Sequence, residues 1–283
     1  MQLFTKLNDG SQIPTMGYGV FCIADEECEK HVLNAIKTGY RHVDCAQIYR
    51  NERGLGNALA KTDVPREELY ITSKVWVSNF GKDKTIKSVD LSLSKLQTPY
   101  VNLMLLHRPF GDYISAWKDL EKCVEEGKVN SIGLSNFNKK QTQRILDICK
   151  IKPVINQIEC HPYGAQNKLK EYLFNNDIAV EAWYPLGHGN KKLMSEKILL
   201  ALAEKYSKTP AQIILRWHIQ NNNIVLPKTV RVERMVENFN ALAFELTKED
   251  VALINGLNKN KMLFNVPNWV QKLNNKLFPV NLD

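Results

Sequence analysis

The chain has 283 residues, a formal net charge of +8 and an apolar content of 44%. These values, with a charged content of 24%, are ordinary for a globular protein and allow a sizeable core. Basic residues are dispersed among acidic ones, as in residues 25–30 and 248–250, so the charge favours solvated helix faces over a nucleic-acid-binding surface. A mildly positive field would still attract a phosphorylated cofactor.

The distribution of residues along the chain predicts one domain spanning residues 1–283. No proline-rich linker, low-complexity segment or block of like charge divides it, and single α/β barrels reach this length. No run approaches the roughly 18 apolar residues of a membrane span, and the N-terminal residues lack the apolar run of a signal peptide. The six cysteines form no CxxC pair, so we expect reduced thiols and a cytoplasmic protein without a membrane partner.

The first predicted element is a hairpin over residues 3–14, where Asn8-Asp9-Gly10 favours a turn with positive φ. Short, nearly continuous apolar runs then alternate with helix patterns, which is typical of parallel strands buried on both faces. Eight such units predict a (β/α)8 barrel, with a doubly wound open sheet as the alternative. No G-x-G-x-x-G follows the first strand, which weakens a Rossmann interpretation. The predicted strands are residues 16–20, 39–44, 69–72, 101–106, 129–134, 154–158, 178–183 and 224–226.

Helices are predicted from spacing and from their capping residues. A helical pattern covers residues 53–61, and apolar residues at helical spacing predict another helix between Gly81 and Pro99. Thr209-Pro210-Ala211-Gln212 combines an N-cap, a proline at the first helical position and a glutamine three residues after the cap. Thr247 begins a further helix that ends at Gly256.

Four ionisable side chains stand at or just past the ends of consecutive strands: Asp44, Tyr49, Lys74 and His107. Each alone has a simple structural explanation, such as a loop cap, a core ring or a buried hydrogen bond. Because the carboxyl ends of barrel strands converge on one mouth, their occurrence in consecutive units instead favours one functional site.

The chemistry of this group follows from its charges. A free phenol titrates near pH ~10, and a neighbouring ammonium is expected to lower that pKa. Asp44 would hold Lys74 charged and in place, while His107 would orient a polar substrate atom against the Tyr49 hydroxyl. Such a donor suits a carbonyl oxygen that gains negative charge as hydride arrives.

The string D-x-A-x-x-Y-x-N-E over residues 44–52 resembles the signature of the aldo-keto reductases, and further motifs stand in the same order along nearly the whole chain. The resemblance implies a (β/α)8 barrel closed at its base by a hairpin. It also implies an NADP-dependent oxidoreductase that binds NADPH without a Rossmann motif and reduces aldehydes and ketones. The further motifs are Leu105-Leu106-His107-Arg108-Pro109, Ile132-Gly133-Leu134-Ser135-Asn136-Phe137, Asn156-Gln157-Ile158-Glu159-Cys160-His161-Pro162 and Leu226-Pro227-Lys228-Thr229.

By this resemblance Tyr49 is the general acid, Asp44 and Lys74 tune it, and His107 orients the carbonyl. Trp183 is expected to stack on the nicotinamide, with its neighbour Tyr184 as the alternative. The resemblance assigns the nicotinamide carboxamide to Ser135, Asn136 and Gln157, and the adenosine 2′-phosphate to Lys228, Thr229 and Arg234. It assigns the adenine end to Glu237 and Asn238. Further cofactor contacts are assigned to Gly19, Val20 and Leu186. The presence of both Lys228 and Arg234 predicts a preference for NADPH over NADH.

The predicted substrate pocket, Phe21, Trp76 and Arg108, departs from the family in two places. Arg108 follows the catalytic histidine where many relatives have tryptophan, and Phe21 replaces a bulkier ring. One hypothesis is a preference for polar or carboxylate-bearing carbonyl compounds, such as keto-sugar acids; the alternative is that Arg108 pairs with Asp112 at the rim. The tail of about residues 258–283 is expected to lie near the substrate site.

Two other functions are possible for the group of Asp44, Tyr49, Lys74 and His107. The first is a nucleotide-binding regulatory subunit with little turnover. The second is a metal-dependent hydrolase on the same barrel, which Lys74 disfavours because its charge would repel the metal. We therefore predict no metal, a small carbonyl substrate, no nucleic-acid partner, and a monomer or weak dimer.

Overall fold

A hairpin closes one end of the molecule, as the turn residues predict. In the computed structural model, which describes residues 3–264, β1 (Phe4–Lys6) pairs with β2 (Gln12–Pro14) in antiparallel register. The turn between them is tied across the barrel base, because the Asn8 amide donates to the Pro153 carbonyl at 2.9 Å. Ile13 is fully buried in an apolar cluster with Leu7 and residues of the strands above. The hairpin therefore seals the base of the barrel.

Eight parallel strands follow, and each pairs with the next strand along the chain. The sheet closes on itself, since Met16 bridges to Val225 in parallel and the Gly17 amide donates to the Val225 carbonyl at 2.9 Å. A closed (β/α)8 barrel is thus confirmed, and the doubly wound alternative is wrong. The strands are β3 (Tyr18–Gly19), β4 (His42–Asp44), β5 (Tyr70–Val75), β6 (Val101–Leu106), β7 (Val129–Ser135), β8 (Ile155–Glu159), β9 (Ala179–Trp183) and β10 (Asn223–Val225).

Helices cover the outer face of the sheet, and their ends follow the predicted capping chemistry. The Gln212 amide donates to the Thr209 hydroxyl, and the Thr209 amide donates back to the Gln212 side chain at 3.0 Å. Among residues 3–264, no helix is long and apolar enough to cross a membrane. The helices are α1 (Asp25–Thr38), α2 (Glu52–Lys61), α3 (Lys84–Leu96), α4 (Tyr113–Glu125), α5 (Lys139–Leu146), α6 (Asn167–Phe174), α7 (Lys191–Met194), α8 (Lys197–Tyr206), α9 (Pro210–Gln220), α10 (Val232–Phe239) and α11 (Lys248–Asn255).

The predicted tail of about residues 258–283 lies only partly within the described residues. Residues 258–264 run along the carboxyl end of the barrel, where Phe264 lines the main cavity. The aromatic and proline residues farther along, Pro267, Trp269, Phe278 and Pro279, lie outside the described residues.

Helix α2 begins at Glu52, the last residue of the 44–52 motif, and packs closely on α1. Gly54 permits this approach, because a Cβ at that position would lie 2.2 Å from the Asp25 carbonyl oxygen and 2.7 Å from the Cys28 Cβ. The Gly54 amide also donates to the Asp25 carboxylate at 2.8 Å. This contact fixes where the helix after Tyr49 begins.

We expect Gly54→Ala to destabilise the fold. The added methyl group clashes with backbone, and overpacking of this kind costs about 1–3 kcal/mol, which outweighs the gain of roughly 1 kcal/mol in helix propensity. Arg53→Ala, on the exposed face of the same helix, should change the unfolding free energy by less than about 0.5 kcal/mol. Urea unfolding of both variants tests this, and equal stability of the two would contradict it.

Candidate active site

A cavity of about 730 Å³ opens at the carboxyl ends of the strands. Asp44 ends β4, Lys74 lies near the end of β5, and His107 directly follows β6. Tyr49 lies on a turn of 3₁₀-helix, Gln47–Tyr49, between β4 and α2. The four predicted residues are therefore brought together, with Asp44, Tyr49 and His107 lining the cavity and Lys74 buried directly beneath it.

Lys74 is the centre of this group. Its Nζ lies 2.6 and 2.8 Å from the two carboxylate oxygens of Asp44, 2.8 Å from the Cys45 carbonyl and 3.4 Å from the Tyr49 hydroxyl. Burial alone would lower the pKa of Lys74, but the charges of Asp44 and Tyr49 and the Asp44 hydrogen bonds raise it above its ordinary value. Lys74 is therefore a charged, fully bonded ammonium inside the barrel.

The phenol of Tyr49 is protonated at neutral pH. Burial raises the pKa of Tyr49 to about 12, while the positive charge of Lys74 opposes that rise. The sequence-based expectation that Lys74 brings this pKa below its usual value is thus wrong for the free protein, because removal from water outweighs the ammonium. Since Lys74 donates to the Tyr49 oxygen, the hydroxyl proton is left to point away from Lys74.

His107 is neutral. Burial, followed by the nearby charge of Lys74, lowers the pKa of His107 well below its ordinary value. Its ring stands edge-on to Tyr49 and Trp76, with centroids 5.8 and 5.1 Å away. The Nδ1 atom is buried and has no hydrogen-bond partner within residues 3–264, which leaves Nε2 as the ring nitrogen available to a molecule in the cavity.

The second half of the 44–52 motif has a structural role. The Asn51 amide donates to the carbonyls of Val20 and Ile23, both at 2.9 Å, and Asn51 accepts from the Cys45 thiol. The Glu52 carboxylate accepts from Ser73 at 2.7 Å. These bonds hold the loop that carries Tyr49 against the segment after β3 and against β5.

A buried carboxylate that the sequence reasoning missed lies behind Asp44. The Gln157 amide donates to Asp44 at 2.8 Å and to Glu181 at 2.7 Å. Glu181 is fully buried, and burial, with the charge of Asp44, raises its pKa. A single glutamate within the apolar run of residues 178–183 was the signal that could have revealed it. Gln157 was predicted to bind a cofactor; in the structure it donates to the Asp44 oxygen Oδ2, which Lys74 also contacts.

The residues predicted near the nicotinamide form one connected surface of the cavity. The Trp183 indole donates to the Asn136 side chain at 2.9 Å, and the Asn136 amide donates to the His107 carbonyl at 3.1 Å. Trp183 and Tyr184 both line the cavity, as do Ser135, Asn136 and Gln157. The Tyr184 ring stacks on His188, with centroids 4.6 Å apart, whereas the Trp183 ring meets Tyr184 and Phe264 edge-on.

The predicted phosphate and adenine residues line the same cavity. Its lining includes Lys228, Thr229, Arg234, Glu237 and Asn238, together with Gly19 and Leu186. Val20 is not part of the lining, because it is fully buried, and its carbonyl accepts from Asn51. The cavity is therefore continuous from Tyr49 to the two cationic side chains.

Aromatic rings and one cation surround the Tyr49 end. Phe21, Trp76 and Arg108 line it as predicted, with the Phe21 ring 5.0 Å from that of Tyr49. The Arg108 guanidinium lies 5.5 Å from the Phe264 ring centre, and Asp112 caps helix α4 by accepting from the Ser115 amide. Sequence reasoning assigned no role to the other lining residues, although Ile48, Leu226 and Pro227 lie within the motifs quoted above. These residues are Cys22, Ile48, Pro185, His188, Gly189, Met194, Ala211, Leu226 and Pro227.

The turn that carries Trp183 and Tyr184 is anchored from outside the barrel by His218. Its Nε2 lies 3.1 Å from the Pro185 carbonyl, which can only accept, so Nε2 carries the proton. Its Nδ1 then accepts from the Asn223 amide at 3.2 Å. Burial lowers the pKa of His218 to about 3, so this bridge requires the neutral ring.

Comparison with known proteins agrees with this geometry. The profile of the aldo/keto reductase family matches residues 15–259. Glyoxal reductase of Bacillus subtilis is 41% identical over 258 residues, 90% of this chain and 93% of its own length. Methylglyoxal reductase DkgA of Yersinia pestis is 41% identical over 266 residues, 93% of this chain and 95% of its own. The crystal structure of a Bombyx mori aldo-keto reductase in complex with NADP superposes with a TM-score of 0.90 at 33% identity, covering 95% of this chain and 97% of that one.

We expect His218 to make the fold acid-sensitive. Its folded pKa is lower than its unfolded value, so the stability it contributes is present above about pH 6.5 and is lost as the pH falls toward 3. Between about pH 7.5 and pH 5 the native protein should lose on the order of 2 kcal/mol of unfolding free energy that His218→Gln does not lose. Urea unfolding at both pH values measures the difference; parallel losses in the two proteins would contradict it.

Proposed function

Because the chain belongs to the aldo/keto reductase family, we propose that this NADP-dependent oxidoreductase reduces small aldehydes and ketones to alcohols, with Tyr49 as proton donor. The observation that carries the proposal is the Tyr49 hydroxyl, protonated and oriented by the buried Lys74 ammonium, beside the neutral ring of His107 in one cavity. A phenol and an imidazole that converge on one point are suited to a carbonyl oxygen.

The residues of the cavity fit a nicotinamide cofactor carrying a phosphate. Among its lining residues, Trp183 and Tyr184 offer aromatic rings, and Lys228 and Arg234 offer two cations. When bound, NADPH supplies the hydride that reduces the carbonyl carbon. Ser135 and Asn136 line the same cavity, and we propose that their polar groups hold the carboxamide with the nicotinamide facing Tyr49.

The proton transfer follows from the charges around Tyr49. His107 donates from Nε2 to the carbonyl oxygen and keeps it close to the phenol. As negative charge grows on that oxygen, Tyr49 donates its proton, and the resulting phenolate is stabilised by the Lys74 ammonium. Asp44 and the Cys45 carbonyl hold Lys74 in position throughout. The high pKa of Tyr49 in the free protein keeps the donor protonated until substrate arrives.

Several features bear on the substrate and the active unit. Relatives named glyoxal and methylglyoxal reductases support small dicarbonyl compounds as substrates. The guanidinium of Arg108 at the cavity wall supports, in addition, carbonyl compounds that carry a carboxylate. We further propose a monomer or weak dimer as the active unit.

The first test is Tyr49→Phe in an NADPH-oxidation assay with glyoxal, methylglyoxal and keto acids. Loss of the general acid should lower kcat by about 10²–10⁴-fold, with the NADPH dissociation constant unchanged. Tyr172→Phe, which removes a hydroxyl from α6, is the matched control and should retain full turnover. Full activity of the Tyr49 variant would refute the proton-donor role. A native protein that binds NADPH but reduces none of these compounds would refute the proposed function.

The second test concerns the choice between NADPH and NADH. Arg234→Ala should weaken NADPH binding about tenfold or more, because a charge-assisted contact to the 2′-phosphate is lost, and should change NADH binding less than about twofold. Arg231→Ala is the control: Arg231 precedes the same helix, pairs with Glu233 and lies outside the cavity lining. Fluorescence titration measures both dissociation constants, and equal losses for the two nucleotides would exclude a phosphate contact.

A further inference from the structure

Residues 258–264, here called the closing segment, are held against the loop that follows β8. The Tyr163 carbonyl accepts from the Lys259 and Lys261 amides, both at 3.0 Å, and the Asn258 side chain accepts from the Ala165 amide. Gly164 allows this close approach, since a Cβ there would lie 2.8 Å from the Lys261 carbonyl oxygen. The beginning of the closing segment is thus attached by backbone contacts.

Its end is held differently, by a single buried carboxylate. Glu159 is 4% exposed, and its Oε1 accepts from the Leu263 amide at 2.6 Å and from the Phe264 amide at 3.0 Å. Two successive amides directed at one anion form a nest, and such charge-assisted bonds are stronger than neutral ones. The carboxylate therefore determines the backbone position of Phe264.

A third donor orients the carboxylate itself. The His161 Nε2 lies 3.1 Å from the same Glu159 oxygen, and the Gly164 amide donates to His161 Nδ1 at 3.1 Å. Because Nδ1 accepts, Nε2 carries the proton and donates to Glu159. The histidine that the sequence motif left without a chemical role thus supports Glu159.

The position of Phe264 matters because its ring lies at the mouth of the active site. It lines the main cavity, with its ring centre 5.7 Å from the Trp183 ring and 5.5 Å from the Arg108 guanidinium. The residue is 36% exposed, so the two backbone bonds to Glu159 help to hold a ring that is only partly buried.

We propose that Glu159 is a positioning residue for substrate specificity: by holding the Leu263 and Phe264 amides, it keeps the Phe264 ring where the part of a substrate beyond its carbonyl group lies. This inference rests on the proposed carbonyl reduction. Substrates of two or three carbons reach Tyr49 and His107 without reaching Phe264. Substrates with an aromatic ring attached to the carbonyl extend to it.

The test compares glyoxal with benzaldehyde in Glu159→Ala, Phe264→Ala and the double variant. Glu159→Ala should raise the KM for benzaldehyde about five- to tenfold and that for glyoxal less than about twofold, because only the larger substrate contacts the displaced ring. Phe264→Ala should do the same, and the double variant should add nothing further, since both changes remove one contact. Glu159→Gln, which keeps the side-chain size and loses the charge, should give an intermediate KM.

Glu121 provides a matched control elsewhere in the chain. It is 5% exposed on α4, and its carboxylate also accepts from two successive amides, Lys150 at 2.6 Å and Ile151 at 2.9 Å. It lies outside the cavity lining. Glu121→Ala should therefore lower stability without changing the ratio of the two KM values.

Hydrogen exchange gives a readout that needs no activity. The Leu263 and Phe264 amides should exchange faster in Glu159→Ala than in the native protein, and at the native rate in Glu121→Ala. Unchanged exchange in Glu159→Ala, or equal KM changes for the two substrates, would overturn the positioning role. If the native protein reduced neither aldehyde, the proposed function would fail, and exchange would still decide whether Glu159 holds the segment.

Discussion

The ion pair between Lys74 and Asp44 is the interaction on which the active site depends. Removing two charges from water is costly. The cost is offset only where each charge is closely paired and its remaining donors or acceptors form hydrogen bonds. Here the ammonium contacts both Asp44 oxygens, the Cys45 carbonyl and Tyr49, while Gln157 also donates to Asp44. Loss of either Lys74 or Asp44 would leave the other as a buried charge without its partner.

The barrel supplies this geometry through strand register. Asp44 lies beside Thr72, and alternate residues of a strand share a face, so Lys74 points to the same side one step nearer the mouth. Gly19 lies beside Asp44 on the other neighbouring strand, where the absence of a side chain leaves room for the cavity. The apolar base under the hairpin and the polar mouth thus belong to one continuous sheet.

The mouth of the barrel is formed both by loops that follow the strands and by the closing segment. Lys74 donates to the Tyr49 hydroxyl, and Asn51 bonds the loop that carries Tyr49 to Val20, whereas Phe264 reaches the cavity from a segment far along the chain. Buried polar side chains anchor both parts. This arrangement separates the chemistry, which the strands carry, from the cavity wall, which the closing segment completes.

Much of this could be predicted from the sequence, because its determinants are local or periodic. Buried parallel strands are apolar on both faces, a turn such as Asn8-Asp9-Gly10 has its own chemistry, and the residues from Asp44 to Glu52 follow one strand end directly. Eight strands, the barrel, the hairpin and the family follow from such patterns.

Tertiary structure decided what depends on long-range contacts. The pKa of Tyr49 results from two opposing effects, since burial raises it and the charge of Lys74 lowers it. Neither the degree of burial nor the distance from Tyr49 to Lys74 can be predicted from the spacing of residues in the sequence. Glu181 and Gln157 meet Asp44 only because the sheet curls into a closed barrel. The bonds from Leu263 and Phe264 to Glu159 join residues more than a hundred positions apart, so only the folded chain brings them into contact.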